Sequence, residues 1–322
     1  MRSTRKRLKP HVLRTLSMIW PGSTVKRILG KSSSLHLKLE LMQVTGTFKA
    51  RGAMNTLLQA GDVQKVTAVS AGNHAIASAY AARQLGADAK VVMLASANPA
   101  RVEAAEAYGA EVLIAETGAE GFALVNRLVE EEGRLFIHPF EGPSVTLATA
   151  GVGLELLEDC PELEAVIIAV GGGGLASGVA AAVKAVSPAC KVYGVEPEGA
   201  DVMRRSFDAG SPQTMASVST IADSLAPPMT TPYAFAACRE NFDDLVTVSD
   251  ADMQAAMALL FEECKLVTEP AAAAATAGAF GALREKLEGK RVGVIVCGAN
   301  IDRESFCRHI DAGQKHLAHG LF

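Results

Sequence analysis

Along most of the chain, short continuous apolar runs alternate with longer stretches of helical patterning. The runs predict strands at Leu35–Leu39, Lys65–Ser70, Lys90–Leu94, Glu111–Ile114, Ala165–Val170, Lys191–Val195, Leu245–Val248 and Val292–Cys297. The longer stretches predict helices such as Asn73–Leu85, Pro99–Tyr108, Gly121–Glu131, Leu175–Val186, Ala251–Glu263 and Pro270–Leu287. A run such as Val166-Ile167-Ile168-Ala169-Val170 has no polar side, the mark of a strand buried on both faces. Alternation of this kind predicts an α/β fold with doubly wound, mostly parallel sheets.

The turns carry more than the elements. Four of them place Gly, Ser or Asn where a strand ends and a helix begins: Ser70-Ala71-Gly72-Asn73-His74, Gly171–Gly174, Glu196–Ala200 and Cys297-Gly298-Ala299-Asn300. Ligands of open α/β sheets sit outside the carboxyl ends of the strands, so several such turns could converge on one site.

Composition narrows the class. With 49% hydrophobic and 20% charged residues the chain can bury a sizeable core and is unlike a disordered one. A net charge of −4 supplies no field to recruit nucleic acid. No apolar run approaches the roughly 18 residues of a membrane span. The six cysteines, at 160, 190, 238, 264, 297 and 307, never form C-x-x-C; they suit a reducing cytoplasm better than a disulfide framework. Six basic residues and no acidic one precede Leu16, and the first acid is Glu40. That segment reads as a basic helix broken near Pro10, with a cleaved transit segment as the alternative.

Two motifs point to chemistry. Four consecutive glycines, Gly171–Gly174, follow an apolar strand and open a helix rich in small residues. Their N–H groups can wrap a phosphate at the positive helix end. A ligand-free tight turn is the plain alternative, and a dinucleotide fingerprint fits poorly because no glycine holds its third position. The second motif is Thr45-Gly46-Thr47-Phe48-Lys49-Ala50-Arg51-Gly52-Ala53. It reads as a capped turn placing Phe48 and Lys49 in a helix's opening turn, where the dipole and Arg51 depress the lysine pKa. Such a lysine serves as a base or Schiff-base nucleophile, although most lysines at helix starts are only solvated. Alone, Ser70 and Asn73 read as helix caps, His74 as a turn histidine, Cys297 as buried filler and Glu269 as part of a capped helix start before Pro270.

Taken in order, Lys38-Leu39-Glu40, the Thr45–Ala53 string, Ser70-Ala71-Gly72-Asn73-His74-Ala75, the glycine quartet and Cys297-Gly298-Ala299-Asn300 resemble the serine/threonine dehydratase branch of the fold-type II pyridoxal-phosphate enzymes. The likeness runs from about Leu13 to Arg308. It implies two α/β domains with the cofactor between them: a small one over 50–146, and a large one formed by 1–49 and 147–322. It also implies that Lys49 holds pyridoxal 5'-phosphate as a Schiff base, with Gly171, Gly172, Gly173, Gly174 and Leu175 around the phosphate. Phe48 would lie near the ring, Asn73 on its 3-hydroxyl and Cys297 at its nitrogen. Ser70, Ala71, Gly72, Asn73 and His74 would receive the substrate carboxylate, and Glu269 would lie near the cofactor. A homodimer and a small amino-acid substrate are further implications.

The chemistry expected from the resemblance is elimination of water from a β-hydroxy amino acid, L-threonine or L-serine before a modified analogue. Lys49 would remove the Cα proton, and products would be a 2-oxo acid and ammonia. Neutral Cys297 would weaken the ring as an electron sink and favour rapid loss of the hydroxyl. Racemases of this branch carry serine where this chain has Ala71, which cannot move a proton, so dehydration is favoured over racemisation. In the family the turn at Glu196 and Ala200 can bind a cation. With Val202 in place of an acid there, a monovalent ion or none is expected. Ile76-Ala77 and Leu147-Ala148-Thr149-Ala150-Gly151 depart from the family pattern and alter the amide groups near the site. No arginine for an acidic substrate can be placed. The chain ends soon after the last motif, which resembles catabolic dehydratases lacking a regulatory domain. A β-replacement synthase, a nucleotide-dependent oxidoreductase and a non-catalytic cofactor carrier are the rival classes.

Overall fold

The computed structural model describes all 322 residues. Its strands are β1 (Ser17–Ile19), β2 (Ser34–Leu39), β3 (Lys65–Ser70), β4 (Asp88–Leu94), β5 (Glu111–Ala115), β6 (Leu135–Phe136), β7 (Ala165–Ala169), β8 (Lys191–Pro197), β9 (Asp244–Val248) and β10 (Arg291–Val296). The helices are α1 (Arg2–Leu8), α2 (Thr24–Leu29), α3 (Lys49–Ala60), α4 (Asn73–Leu85), α5 (Pro99–Ala107), α6 (Gly118–Glu132), α7 (Pro143–Asp159), α8 (Gly174–Val186), α9 (Val202–Ala209), α10 (Pro232–Asn241), α11 (Asp250–Cys264), α12 (Pro270–Phe280), α13 (Arg284–Leu287) and α14 (Arg303–Ala318). All eight expected strands form, each within two residues of the anticipated ends. β1 and β6 are too short to show a pattern. α7 was not among the helices the pattern named; it is buried along most of its length and so lacks an amphipathic stripe. The expected Pro270–Leu287 helix stops at Phe280, where Gly281 follows and a separate turn, α13, takes over.

The strands sort into two sheets. Six run in the order β1-β2-β10-β7-β8-β9, parallel except for antiparallel β1, and four in the all-parallel order β5-β4-β3-β6. The doubly wound, mostly parallel α/β expectation therefore holds. Both faces of the smaller sheet are covered. Ala68, Val91 and Met93 join one core with Ala75 and Ala79 of α4, while alternate residues Val69 and Val92 join another with Val125 and Leu128 of α6. A larger apolar core surrounds the six-stranded sheet. The carboxyl ends of β3, β7 and β10 are where the two halves meet. No helix is long and apolar enough to cross a membrane.

Candidate active site

One cleft gathers residues from all three strand ends: Phe48, Lys49, Ser70–His74, Gly171–Leu175, Glu269 and Cys297 line it together. These residues are far apart in sequence, and the topology alone joins them. Glu196 and Ala200 lie elsewhere. Each oxygen of buried Glu196 accepts one backbone N–H, from Met203 and from Arg204, both at 2.8 Å, so the carboxylate caps α9. No cluster of three or more His, Cys, Asp or Glu is arranged to hold a metal ion.

Lys49 is positioned by stitching its loop to the end of β10. Phe48 N–H donates to the Cys297 carbonyl at 3.2 Å, Ala299 N–H to the Gly46 carbonyl at 3.0 Å, and Thr47 bridges Gly298. Gly46 has φ +73°, where a side chain would be strained and would meet Asn300 Oδ1. The helix begins at Lys49 itself, and Phe48 is an N-cap without a side-chain bond, so the expected capped opening turn starts one residue later.

Behind Lys49, Arg51 is buried between two carboxylates. Its guanidinium donates to Glu40 at 2.8 Å and to Glu155 at 2.9 Å, while Lys38 Nζ lies 3.0 Å from Glu155. Two cations and two anions cancel there, which corrects the expectation that Arg51 depresses the lysine pKa. Burial does so instead, lowering Lys49 to about 8 against the opposing pull of Cys297 and Glu269. The Nζ donates to the Pro139 carbonyl at 2.7 Å and lies 5.2 Å from the Phe48 ring centre.

Two sets of unpaired backbone N–H groups flank this amine. From Gly171 to Ala176, six successive N–H groups find no acceptor in the protein. Glycine is required there by close approach: a Cβ on Gly172 would lie 2.5 Å from the Phe140 ring, and one on Gly174 2.7 Å from the Phe140 Cα. The residues fit a phosphate, because an anion would satisfy donors that no protein acceptor reaches. The second set opens α4, where Ala71, Asn73, His74 and Ala75 N–H are likewise free, while Gly72 N–H bonds the Ser70 hydroxyl at 3.0 Å. Gly72, rather than Ser70 or Asn73, is the N-cap. The Asn73 amide donates to Glu269 at 2.9 Å and Ser224 at 3.0 Å, and its oxygen accepts from Asn300 at 2.8 Å.

Burial shifts the other titratable groups in and around the cleft toward their neutral forms. His74 turns its ring to the Ile137 carbonyl, 2.7 Å away, and burial beside Lys49 lowers it to about 3. His138 Nδ1 accepts from Phe140 and Glu141 N–H at 3.3 and 3.0 Å, and burial lowers its pKa to about 4. Cys297 is buried and stays a thiol, its pKa pushed up by burial and Glu269. Glu269 is the N-cap of α12 without capping it; its carboxyl turns into the cleft, raised by burial to about 7 against Arg101.

Sequence reasoning missed Arg101 and Asp223. Arg101 is buried, with Nε on the Asn300 carbonyl at 2.9 Å, Nη1 on Asp223 at 2.5 Å and Nη2 3.5 Å from Glu269. A Cβ on Gly72 would lie 2.2 Å from its side chain, so Gly72 was the available signal.

Residues 20–298 match the family model described as pyridoxal-phosphate dependent enzyme. The chain belongs to that family. Among family members, phenylserine dehydratase of Ralstonia pickettii is 54% identical over 284 residues, 87% of each chain. The L-threo-3-hydroxyaspartate ammonia-lyase of Saccharomyces cerevisiae is 38% identical over 85% of each. A solved structure of maize serine racemase superposes with TM-score 0.89 at 32% identity, covering 99% of this chain and 97% of that one. Fold-type II architecture, pyridoxal-phosphate dependence and lyase relatives thus agree with the family reading of the sequence.

Proposed function

We propose that this family member is a β-hydroxy-amino-acid dehydratase, releasing a 2-oxo acid and ammonia, with Lys49 as its base. The observation that carries the reading is a single amine of lowered pKa set between two seats of unpaired N–H groups. The Gly171–Ala176 seat suits the cofactor phosphate and the α4 seat suits the substrate α-carboxylate. Pyridoxal phosphate, when bound, supplies the electron sink for loss of the Cα proton and then the β-hydroxyl. Lys49 Nζ takes the Cα proton, the Pro139 carbonyl orients that amine, and the neutral Cys297 thiol leaves the cofactor ring without an acidic partner. Phe48 packs beside the amine, and Asn73 and Glu269 form one hydrogen-bonded unit next to it.

Racemisation is the second reading, favoured by the likeness to a serine racemase. Ala71 argues against it, because a methyl group offers no proton to the opposite side of the substrate. The relatives at 54% and 38% identity are a dehydratase and an ammonia-lyase, which supports elimination. A homodimer, cytoplasmic location and a small unit of residues 50–146 closing over substrate complete the reading. The turn at Glu196 and the Ala200 carbonyl takes a monovalent cation or none, tested by swapping the monovalent salt.

The deciding experiment supplies phenylserine, threonine, serine and 3-hydroxyaspartate to the purified enzyme and measures keto acid, ammonia and D-amino acid. Equal keto acid and ammonia without D-amino acid are expected. Lys49→Ala is expected to abolish turnover while circular dichroism stays unchanged, and appreciable residual activity would falsify the assignment.

A further inference from the structure

We infer that the side-chain end of the cleft selects an aromatic β-substituent, and that Phe122, with Leu94 and Val69, recognises it. This deepens the dehydratase reading and rests on it for the placement of the substrate carboxylate.

Once the two N–H seats and Lys49 are assigned, the apolar wall on the small-sheet side of the cleft has no role. Val69 immediately precedes the Ser70–His74 seat, and Leu94 ends the neighbouring strand β4. Phe122 reaches in from the opening of α6, and Gly118 at the start of that helix leaves open space where a side chain would stand. The wall is apolar throughout. It is also firmly supported, because Phe122 meets Phe136 edge-on at 6.4 Å, Phe136 meets His138 at 5.5 Å, and His138 meets Phe140 at 4.8 Å. Phe140 in turn presses on Gly172 and Gly174.

Charge points the same way. Lys49 is the sole Lys or Arg lining the cleft, which also holds Asp223 and Glu269. Nearby Arg101 is committed to Asp223, Glu269 and the Asn300 carbonyl. A second carboxylate on the substrate would find no free cation to pair with. A methyl group would leave the wall largely unfilled. A phenyl ring fills it and can meet Phe122 edge to face.

The test measures binding and turnover separately on the cofactor-loaded enzyme. L-phenylalanine, L-alanine and L-aspartate lack a β-hydroxyl and cannot lose water, and they share the same α-amino and α-carboxylate groups, so the differences among them in calorimetry read the side-chain end of the cleft. L-phenylalanine is expected to bind at least about tenfold tighter than the other two. Phe122→Ala should erase that preference, and Phe122→Arg should turn it toward L-aspartate. Phe122→Leu, which keeps most of the volume, serves if the alanine variant does not fold, and should weaken the preference for the ring. Equal binding of the three, or a preference indifferent to Phe122, overturns the inference. Turnover of phenylserine should exceed that of threonine and 3-hydroxyaspartate in kcat/KM. Tight L-phenylalanine binding with no keto acid from any hydroxy amino acid would uphold the wall and overturn the dehydratase reading. Threonine turnover without L-phenylalanine preference would do the reverse.

Discussion

Glu269 shows how one buried carboxyl ties the site to pH. Folded Glu269 holds its proton up to about 7, whereas its ordinary value is 4.5. Between those values the folded state binds more protons than the unfolded one. Stability contributed by this group is therefore intact below the lower value, falls as pH rises through the window, and stays lost above it. Glu269→Gln cannot titrate. Buried His74 and His138 titrate the opposite way in the same window, so the readout is the difference: in urea melts the parent should lose stability relative to the variant as pH rises from 4.5 to about 7, and a constant difference would count against it. Lys49 and the glycines were legible because their chemistry is local: a lysine entering a helix, and backbone that tolerates no Cβ. The cause of the lysine's lowered pKa was not, since the neutralisation of Arg51 depends on Glu155, more than a hundred residues away. Arg101 and Phe122 were also hidden, because an arginine or an aromatic ring on a helix reads first as a solvated or a core residue.

At the scale of elements, two joints carry the site. The first is α3, anchored by the buried pairing of Arg51 with Glu40 and Glu155. Arg51→Met leaves both buried carboxylates without their shared guanidinium, with Lys38 and Thr15 beside them and Arg5 3.9 Å from Glu155, and should cost about 3–5 kcal/mol in denaturant melts. A loss well below that would show the carboxylates re-pairing or taking up protons. The second is the β7–α8 turn against Phe140. In Gly174→Ala the new methyl meets backbone, which cannot swing aside, so the variant should lose about 1–3 kcal/mol and release cofactor on dialysis. Full cofactor retention would argue against a role for this turn in holding it. Strand ends were readable within two residues because hydrophobic runs stop where burial stops. The buried helix α7 escaped because a helix covered on all sides has no stripe.

For the whole molecule, polar clasps join the two halves beside the cleft, those of Asn73 and Arg101 with Asp223, Ser224 and Glu269 among them. Asn98 donates to Asp302 at 2.5 Å, Arg101 to the Asn300 carbonyl, Tyr108 to the Val44 carbonyl at 3.2 Å, and Asn300 to Asn73. Substrate held by the α4 seat and the Phe122 wall touches the small-sheet side, while cofactor on the glycine turn belongs to the other. Ligand should therefore draw the halves together. Hydrogen exchange is expected to slow over residues 71–76 and 98–101 when L-phenylalanine binds the loaded enzyme. Exchange that quickens or stays level would mean a cleft already closed. That the chain makes two parallel sheets was plain from its alternating pattern; which residues span the gap was not, because their partners are set by tertiary contact alone.

The six unpaired N–H groups from Gly171 to Ala176 bear on more than catalysis. The six donors are arrayed together in the folded chain alone, so an anion seated on them binds that state and shifts the equilibrium toward it, and the cofactor favours folding as well as reactivity. Inorganic phosphate shares that recognition and would shelter the polypeptide without making it active. The abundance of this enzyme in a cell would then follow the supply of a vitamin, with ordinary phosphate keeping a dormant stock alive through scarcity.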